Sequence, residues 1–348
     1  MQRLDFLAMG CQMLALIEST EAEATELLTQ VPTWFEEWEQ SLSRFRDDSE
    51  LIALNRAEGK PMRVSETLWQ VLESAMRAAV DSNGIVTPTL LDAILAAGYD
   101  CDFASLEPSV ARTNINLPLT RNSWLDIELD ENNRTVRMPH EMHLDFGGVA
   151  KGWAADHAAQ RLNQIAPALV DAGGDLALST AKRNGDAWPI AVADPFKPET
   201  DLALLIVHQG GVATSGRDYR RWERNGKWQH HIIDPRTRAP AETNVLSATV
   251  IAPTAERAEV AAKVALILGS GAGLEWIDAR NDLAALLVLE NGHVLHSRRL
   301  DEYLWCESDD RIVLANPVTA IGFAPKAHFA DRNSELNNVN KNFKIQRT

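Results

Sequence analysis

The chain has 348 residues, 24% of them charged and 45% hydrophobic, which is the balance of a globular protein long enough to bury a sizeable core and excludes disordered and fibrous classes. Lys and Arg number 34 against 49 Asp and Glu, and the resulting net charge of −15 repels phosphate backbones and anionic membrane surfaces, so nucleic acid is not an expected partner. Three cysteines, Cys11, Cys101 and Cys306, are too widely spaced for a zinc motif or a disulfide framework and read as small packed side chains. No run of roughly 18 apolar residues occurs, so no bilayer span is predicted. Asp5 interrupts the apolar N-terminal stretch and no cationic segment precedes it, which reads as a cytoplasmic chain without a signal peptide.

In chain order, Leu4 to Ile17 is a strand-compatible run, followed by Thr20 as an expected N-cap. Leu27, Leu28, Val31, Trp34, Phe35, Trp38 and Leu42 recur at three- and four-residue steps, one face of an amphipathic helix whose aromatics are expected in the core. A second helix is predicted across Leu68, Val71, Leu72, Ala75 and Ala79, and a third, short one within Thr89 to Gly98. Alternating Leu125, Ile127 and Leu129 face Val136 and Met138 across Asp130-Glu131-Asn132-Asn133, a hairpin pattern. Gly147-Gly148 leads into a helix of about four turns marked by Ala154, Ala158, Leu162 and Ile165.

Strands are then predicted at Ala168–Val170, Leu176–Leu178, Ile190–Val192, Leu202–Val207, Trp228–Ile233 and Ser247–Ile251. A long helix follows, opened by Pro253 with Thr254 as N-cap and closed by Gly269. Ala284–Glu290 and His293–Arg298 flank Asn291-Gly292, a hairpin turn signal. From about Asn316 the pattern fades into a polar tail, so the organisation expected is one domain over residues 1–315, built as one unit or two intimate lobes, and a tail over 316–348. Clustered helices with hairpin-spaced strands predict an α+β fold rather than a βαβ alternation.

Three glycine-dense turns stand out: Gly147-Gly148 before Lys151, Gly173-Gly174-Asp175 between two strands, and Gly210-Gly211 ahead of Thr214-Ser215-Gly216. Each is flanked by Asp, Thr, Ser or Lys, the composition of an anion cradle, and none has the dinucleotide or Walker spacing.

The order of the motifs carries a resemblance. Ser43-Arg44-Phe45 with Asp48-Ser49-Glu50-Leu51 and Asn55, Thr87-Pro88-Thr89, Leu144-Asp145-Phe146-Gly147-Gly148-Val149-Ala150-Lys151-Gly152, Gly173-Gly174-Asp175, Ala213-Thr214-Ser215-Gly216, His231-Ile232-Ile233-Asp234-Pro235 and Ala252-Pro253-Thr254 together resemble the FAD:protein FMN transferase (ApbE) family over roughly residues 5 to 300. The resemblance implies a T-fold-like α+β structure of mostly antiparallel sheets with packed helices. It implies FAD as the bound substrate, magnesium as cofactor, and an acceptor flavoprotein whose Thr or Ser hydroxyl takes FMN while AMP leaves. It also implies that Met9, Phe45, Thr87, Asp145, Lys151, Asp175 and Ile232 bind the flavin nucleotide, and that Gly148 offers a carbonyl to the metal beside Glu259.

Residue chemistry gives its own readings. Lys151 lies in an opening helical turn, where its charge opposes the macrodipole and a bound phosphate would account for it; a solvated lysine is the plain alternative. Asp145 either holds a ribose hydroxyl or flavin N–H or caps its turn, and Asp175 faces a similar choice. His231 has the right intrinsic pKa for a general base, although one of the adjacent His230 and His231 is expected to be simply packed.

The chain departs from the family pattern in one helix. Where the family carries Asp and, four residues on, Thr as metal ligands, Glu259 and Lys263 stand here, and an ammonium has no lone pair for a metal. Thr87 also replaces a usual Asp and Phe45 a common tyrosine. Two readings of the helical pair follow: an ordinary Glu–Lys i,i+4 ion pair worth about 0.3–0.5 kcal/mol, or a Lys263 ammonium in the place of the cation, with Lys263 and His231 as the residues acting on the reaction. An FAD-binding protein without transferase activity, and an FAD pyrophosphatase, are the alternative functions.

Overall fold

A computed structural model describes residues 1–101, 123–197, 199–218, 220–224 and 226–305, together with the backbone of 327–329. Its centre is an antiparallel eight-stranded sheet, with strands in the spatial order Gln2–Ala8, Cys11–Ile17, Ala168–Ala172, Asp175–Leu178, Gly210–Gly216, Val245–Ala252, Ala284–Leu289 and Val294–His296. The described residues also form helices α1 (Ala22–Leu42), α2 (Glu50–Asn55), α3 (Glu66–Asp81), α4 (Leu91–Ala96), α5 (Ala150–Leu162), α6 (Ala255–Leu268) and α7 (Ser270–Asp278). None of these helices is long and apolar enough to cross a membrane.

Both faces of the sheet are covered, and the strand pattern shows it. Along Cys11–Ile17, Met13, Ala15 and Ile17 join the cluster of Trp34, Phe35 and Trp38 from α1 and Trp153 from α5. Leu14 and Leu16 turn to the other face, against Trp188, Ile190 and Leu205 of a smaller sheet formed by Ala327–Phe329, Trp188–Ala193 and Asp201–Val207. Side chains alternate across a strand, so a strand buried on both faces reads as a continuous apolar run. Each fully buried Leu or Phe contributes about 1.5–3 kcal/mol of transfer free energy. The architecture is therefore α+β, with antiparallel sheets and packed helices, as expected.

Several boundaries differ from expectation. The run Leu4 to Ile17 is two strands, because Met9 and Gly10 adopt φ of 49° and 64° and form a two-residue hairpin turn. Thr20 is not the cap of α1; Glu21 holds that position without a side-chain hydrogen bond. The segment Trp228 to Ile233 is not one strand: Lys227–His230 and Ile233–Asp234 belong to separate two-stranded ribbons, and His231 lies between them. The predicted hairpin near Trp124 shortens to Glu128–Asp130 and Thr135–Arg137. Helix α5 ends at Leu162, short of Ile165. Thr254 does cap α6, accepting from the Arg257 amide, and Gly269 closes it at φ 82°. Of the tail from 316 onward, only Ala327–Phe329 falls within the described residues, paired with Trp188–Ala193.

Helices α5 and α6 position the chemistry by capping each other. Asp156 of α5 accepts from the Ala255 and Glu256 amides at the start of α6, both at 2.9 Å. Glu259 of α6 accepts from the Gly152 amide in the first turn of α5, also at 2.9 Å. The exchange satisfies orphan amides at both N-termini without a local capping residue at Val149. It needs close approach: a Cβ added at Gly152 would lie 2.6 Å from the Glu256 Cα.

Candidate active site

A cleft of about 650 Å³ opens where the Met9-Gly10 turn, the loop after α1, the Thr87 segment, the Asp145–Lys151 loop, the His231–Ile233 segment and α6 meet. That volume suits a nucleotide-sized ligand. Met9, Phe45, Thr87, Asp145, Gly148, Lys151, His231, Ile232 and Lys263 all line it, so residues spread over more than 250 positions converge in one place. Asp175 and Glu259 do not line the cleft. They lie under its floor, buried, and act through the lysines above them.

The floor is an ionic cluster. Lys151 Nζ donates to Asp175 Oδ2 and, at 2.7 Å, to Glu259 Oε1. Lys263 Nζ donates to the same Glu259 oxygen at 2.9 Å. Burial opposes the Lys151 ammonium, yet the charges of Asp175 and Glu259 outweigh it and hold the lysine above its ordinary range. Burial likewise opposes ionised Glu259, but Lys151 and Lys263 bring its carboxyl down to about 2. Asp175 goes the other way: burial and the neighbouring Glu259 charge push it up to about 6 against the pull of the two lysines. These partners hold Lys151 in its opening turn beside the ligand space, so the plain alternative of a solvated lysine does not apply. The Glu259–Lys263 pair does have i,i+4 geometry, but Glu259 is fully buried, so the small value of a solvated helical pair does not apply to it.

His231 brings a different kind of group. Its Nδ1 is buried and has no protein hydrogen-bond partner. Burial, followed by the charges of Arg220, Lys263 and His230, holds the imidazole well below its usual pKa, so the ring is neutral near pH 7 and one nitrogen carries a lone pair. His230 is the packed histidine of the two: its Nε2 lies 3.2 Å from the Ala241 carbonyl, its Nδ1 accepts from the Ile232 amide, and burial lowers its pKa to about 4.

Another part of the cleft wall is aromatic. Phe45 and Tyr99 lie 5.8 Å apart between ring centroids, and the Arg44 guanidinium sits 4.0 Å over Phe45 and 4.5 Å over Tyr99. Arg44 Nε also pairs with Asp145 Oδ2 at 3.0 Å, while Asp145 Oδ1 accepts from the Gly147 amide. Asp145 thus both caps its turn and carries a partly buried ion pair. Arg44 and Tyr99 were not among the residues singled out from sequence as binding the ligand, although the adjacent Arg44-Phe45 pair was a legible signal for a stacked cation. Tyr99 left none, since only folding brings it beside Phe45. Among the lining residues, Arg220 Nη2 donates to Cys11 Sγ at 2.7 Å, again a contact between segments remote in sequence.

Fold and cleft define an α+β enzyme class in which antiparallel sheets hold a nucleotide-sized site. Among solved structures, the ApbE protein of Thermotoga maritima superposes with a TM-score of 0.79 at 24% identity, covering 88% of this chain and 99% of that one. The flavin transferase ApbE of Vibrio cholerae superposes at 0.73, with 87% and 99% covered at 24% identity. In sequence, the FAD:protein FMN transferase of Treponema pallidum is 33% identical over 279 residues, 74% of this chain and 76% of the relative. That of Salmonella typhimurium is 29% identical over 276 residues, 77% and 78% of the two. The family model described as the ApbE family matches residues 9–287, and the chain belongs to that family.

The magnesium implied by the family resemblance does not fit the donors present. Both oxygens of Glu259 are taken, one by two ammonium groups and the other by the Gly152 amide. Lys263 supplies a positive charge and no lone pair, and among the described residues no group of three or more His, Cys, Asp or Glu could hold a metal ion.

Proposed function

We propose that this chain transfers the FMN half of FAD to a Thr or Ser hydroxyl of an acceptor flavoprotein and releases AMP. The observation that carries the reading is the convergence in one cleft of an aromatic wall, two ammonium groups and a buried imidazole nitrogen without a protein partner. The relatives named FAD:protein FMN transferase support it. Phe45 and Tyr99, inclined at 58° with Arg44 over both rings, offer an aromatic wall for a ring system, and Met9, Thr87, Asp145 and Ile232 also line the cleft.

The chemistry is displacement at phosphorus. The acceptor hydroxyl oxygen bonds to the FMN phosphorus, the bond from that phosphorus to the bridging oxygen breaks, and the electron pair leaves on AMP. The His231 imidazole, which lines the cleft, takes the hydroxyl proton. Negative charge on the transferring group grows during this step, and the Lys151 ammonium, fixed by Asp175 and Glu259, stabilises it from the floor.

Asp175 sets a pH dependence. Its ionised form draws Lys151 away from an anion, and its carboxyl titrates at about 6. Protonation therefore leaves the cluster more positive, so FAD affinity should rise by about 3–10-fold as the pH falls from about 7.5 to 5.5. Asp175→Asn should flatten that slope in flavin-fluorescence titrations. A slope of equal size in the variant would shift the effect to Asp171, which burial raises to about 7.

The test of the function is incubation of the protein with FAD, magnesium chloride and an acceptor flavoprotein, followed by assays for AMP and covalent flavin. AMP together with labelled acceptor supports transfer. AMP without label identifies a pyrophosphatase, and retained FAD with neither product identifies a binding protein.

A further inference from the structure

We infer that Lys263 and Lys151 form a metal-independent diphosphate clamp, in which the Lys263 ammonium occupies the place a divalent cation would take. The inference rests on FAD as the ligand of this cleft and specifies how its diphosphate is held. Both Nζ atoms lie within 2.9 Å of the single oxygen Glu259 Oε1, so the two positive charges are close enough to face adjacent phosphoryl groups. Both side chains also line the cleft, whereas Glu259 beneath them does not, which leaves the outer sides of the ammoniums toward the ligand space. An ammonium has three donors, and Glu259 takes one from Lys263.

The stem of Lys263 is placed by its surroundings. A Cβ built on Gly148 would lie 4.0 Å from the Lys263 Cδ and Cε, so the lysine runs alongside the glycine loop that closes the floor. Its Glu259 partner is locked in turn by the Gly152 amide and Lys151. A divalent ion entering this space would meet two fixed positive charges and a carboxylate with both oxygens already engaged. A diphosphate would meet two cations held in position before it arrives.

The decisive measurement is FAD affinity of the intact protein by calorimetry, once in EDTA and once in millimolar magnesium chloride. Wild-type affinity is expected to agree within about twofold between the two conditions. Lys263→Met should weaken binding by about tenfold or more in either condition. Glu259→Asp combined with Lys263→Thr should bind weakly in EDTA and regain affinity with magnesium. Titrating manganese(II) into the wild-type complex while recording its electron paramagnetic resonance signal should detect no protein-bound ion beyond what free FAD takes up. A wild-type affinity that rises about tenfold on adding magnesium, or an unchanged affinity in Lys263→Met, overturns the clamp while leaving FAD as the ligand. No FAD binding under any condition removes the flavin reading itself. The wild-type comparison needs no variant, so a misfolded substitution does not remove the test.

Discussion

Replacing His231 with Ala is expected to slow FMN transfer by about 10²–10⁴-fold while changing FAD affinity by no more than about threefold. The imidazole is the neutral, hydrogen-bond-accepting group at the cleft whose Nδ1 has no protein partner. Burial opposes its protonation, and Arg220, Lys263 and His230 add like-charge repulsion. The base form therefore persists as the pH falls through the ordinary histidine range of about 6.5, and kcat should show no acid-side bend there. Rates of AMP release between about pH 5.5 and 8, with an acceptor present, check both points. A full-rate His231→Ala enzyme, or a bend at the usual histidine pKa that disappears in that variant, would remove His231 as the base with a depressed pKa.

Glu259→Leu should produce the largest loss of stability, about 3–5 kcal/mol, because it takes the shared carboxylate from both lysines on the cleft floor, leaving Lys151 with Asp175 and Lys263 without its partner. Glu259 is fully buried and accepts from Lys151, Lys263 and the Gly152 amide. The substitution removes the charge between the lysines and the tertiary cap of α5 together. Urea unfolding at pH 7 measures the effect, and a loss below about 1 kcal/mol would show that the cluster relaxes around the missing carboxylate.

The pH dependence of this contribution follows from the direction of the shift. Folding lowers the Glu259 carboxyl from 4.5 to about 2. Its stabilisation is therefore complete above about pH 4.5 and is lost as the pH falls through that interval toward 2. Glu259→Gln should lose this acid dependence while keeping more of the packing than Leu does. The raised carboxyls Asp156 and Asp171, each at about 7 through burial, contribute with the opposite sign, because the folded state binds their protons more tightly than the unfolded chain does. A comparison of the Gln variant with the parent reads the Glu259 charge together with its share of the Asp156 and Asp175 shifts, to which that charge contributes.

Lys151 and Lys263 illustrate the limit of reading the site from sequence. The chain order shows a lysine in an opening turn and a Glu four residues before another lysine, and both patterns have ordinary local explanations. It does not show that one carboxylate oxygen serves both lysines across 108 residues, with the other oxygen capping α5. The family resemblance implies Asp175 at the ligand and Glu259 at the metal. Folding instead puts them below the cleft floor, because the reciprocal capping of α5 and α6 draws Glu259 inward and the turn at Gly173-Gly174 places Asp175 under Lys151. Likewise, Met9 emerged as a site candidate through resemblance, while its positive φ, which turns the chain back on itself at the cleft edge, is a property of the folded hairpin.

What the sequence determined by itself were the quantities that act over a few residues: the amphipathic face of α1, the Thr254 cap and Gly269 stop of α6, and the ordered motifs that identify the family. Periodicity, capping and turn preference are local energies, so they are legible along the chain. The tertiary structure alone decided which charges share an oxygen, which histidine nitrogen lacks a partner, and which acids lie beneath the floor. Those features depend on distances between segments far apart in sequence and on the loss of water around them, and burial is what turns ordinary side-chain charges into a fixed electrostatic site.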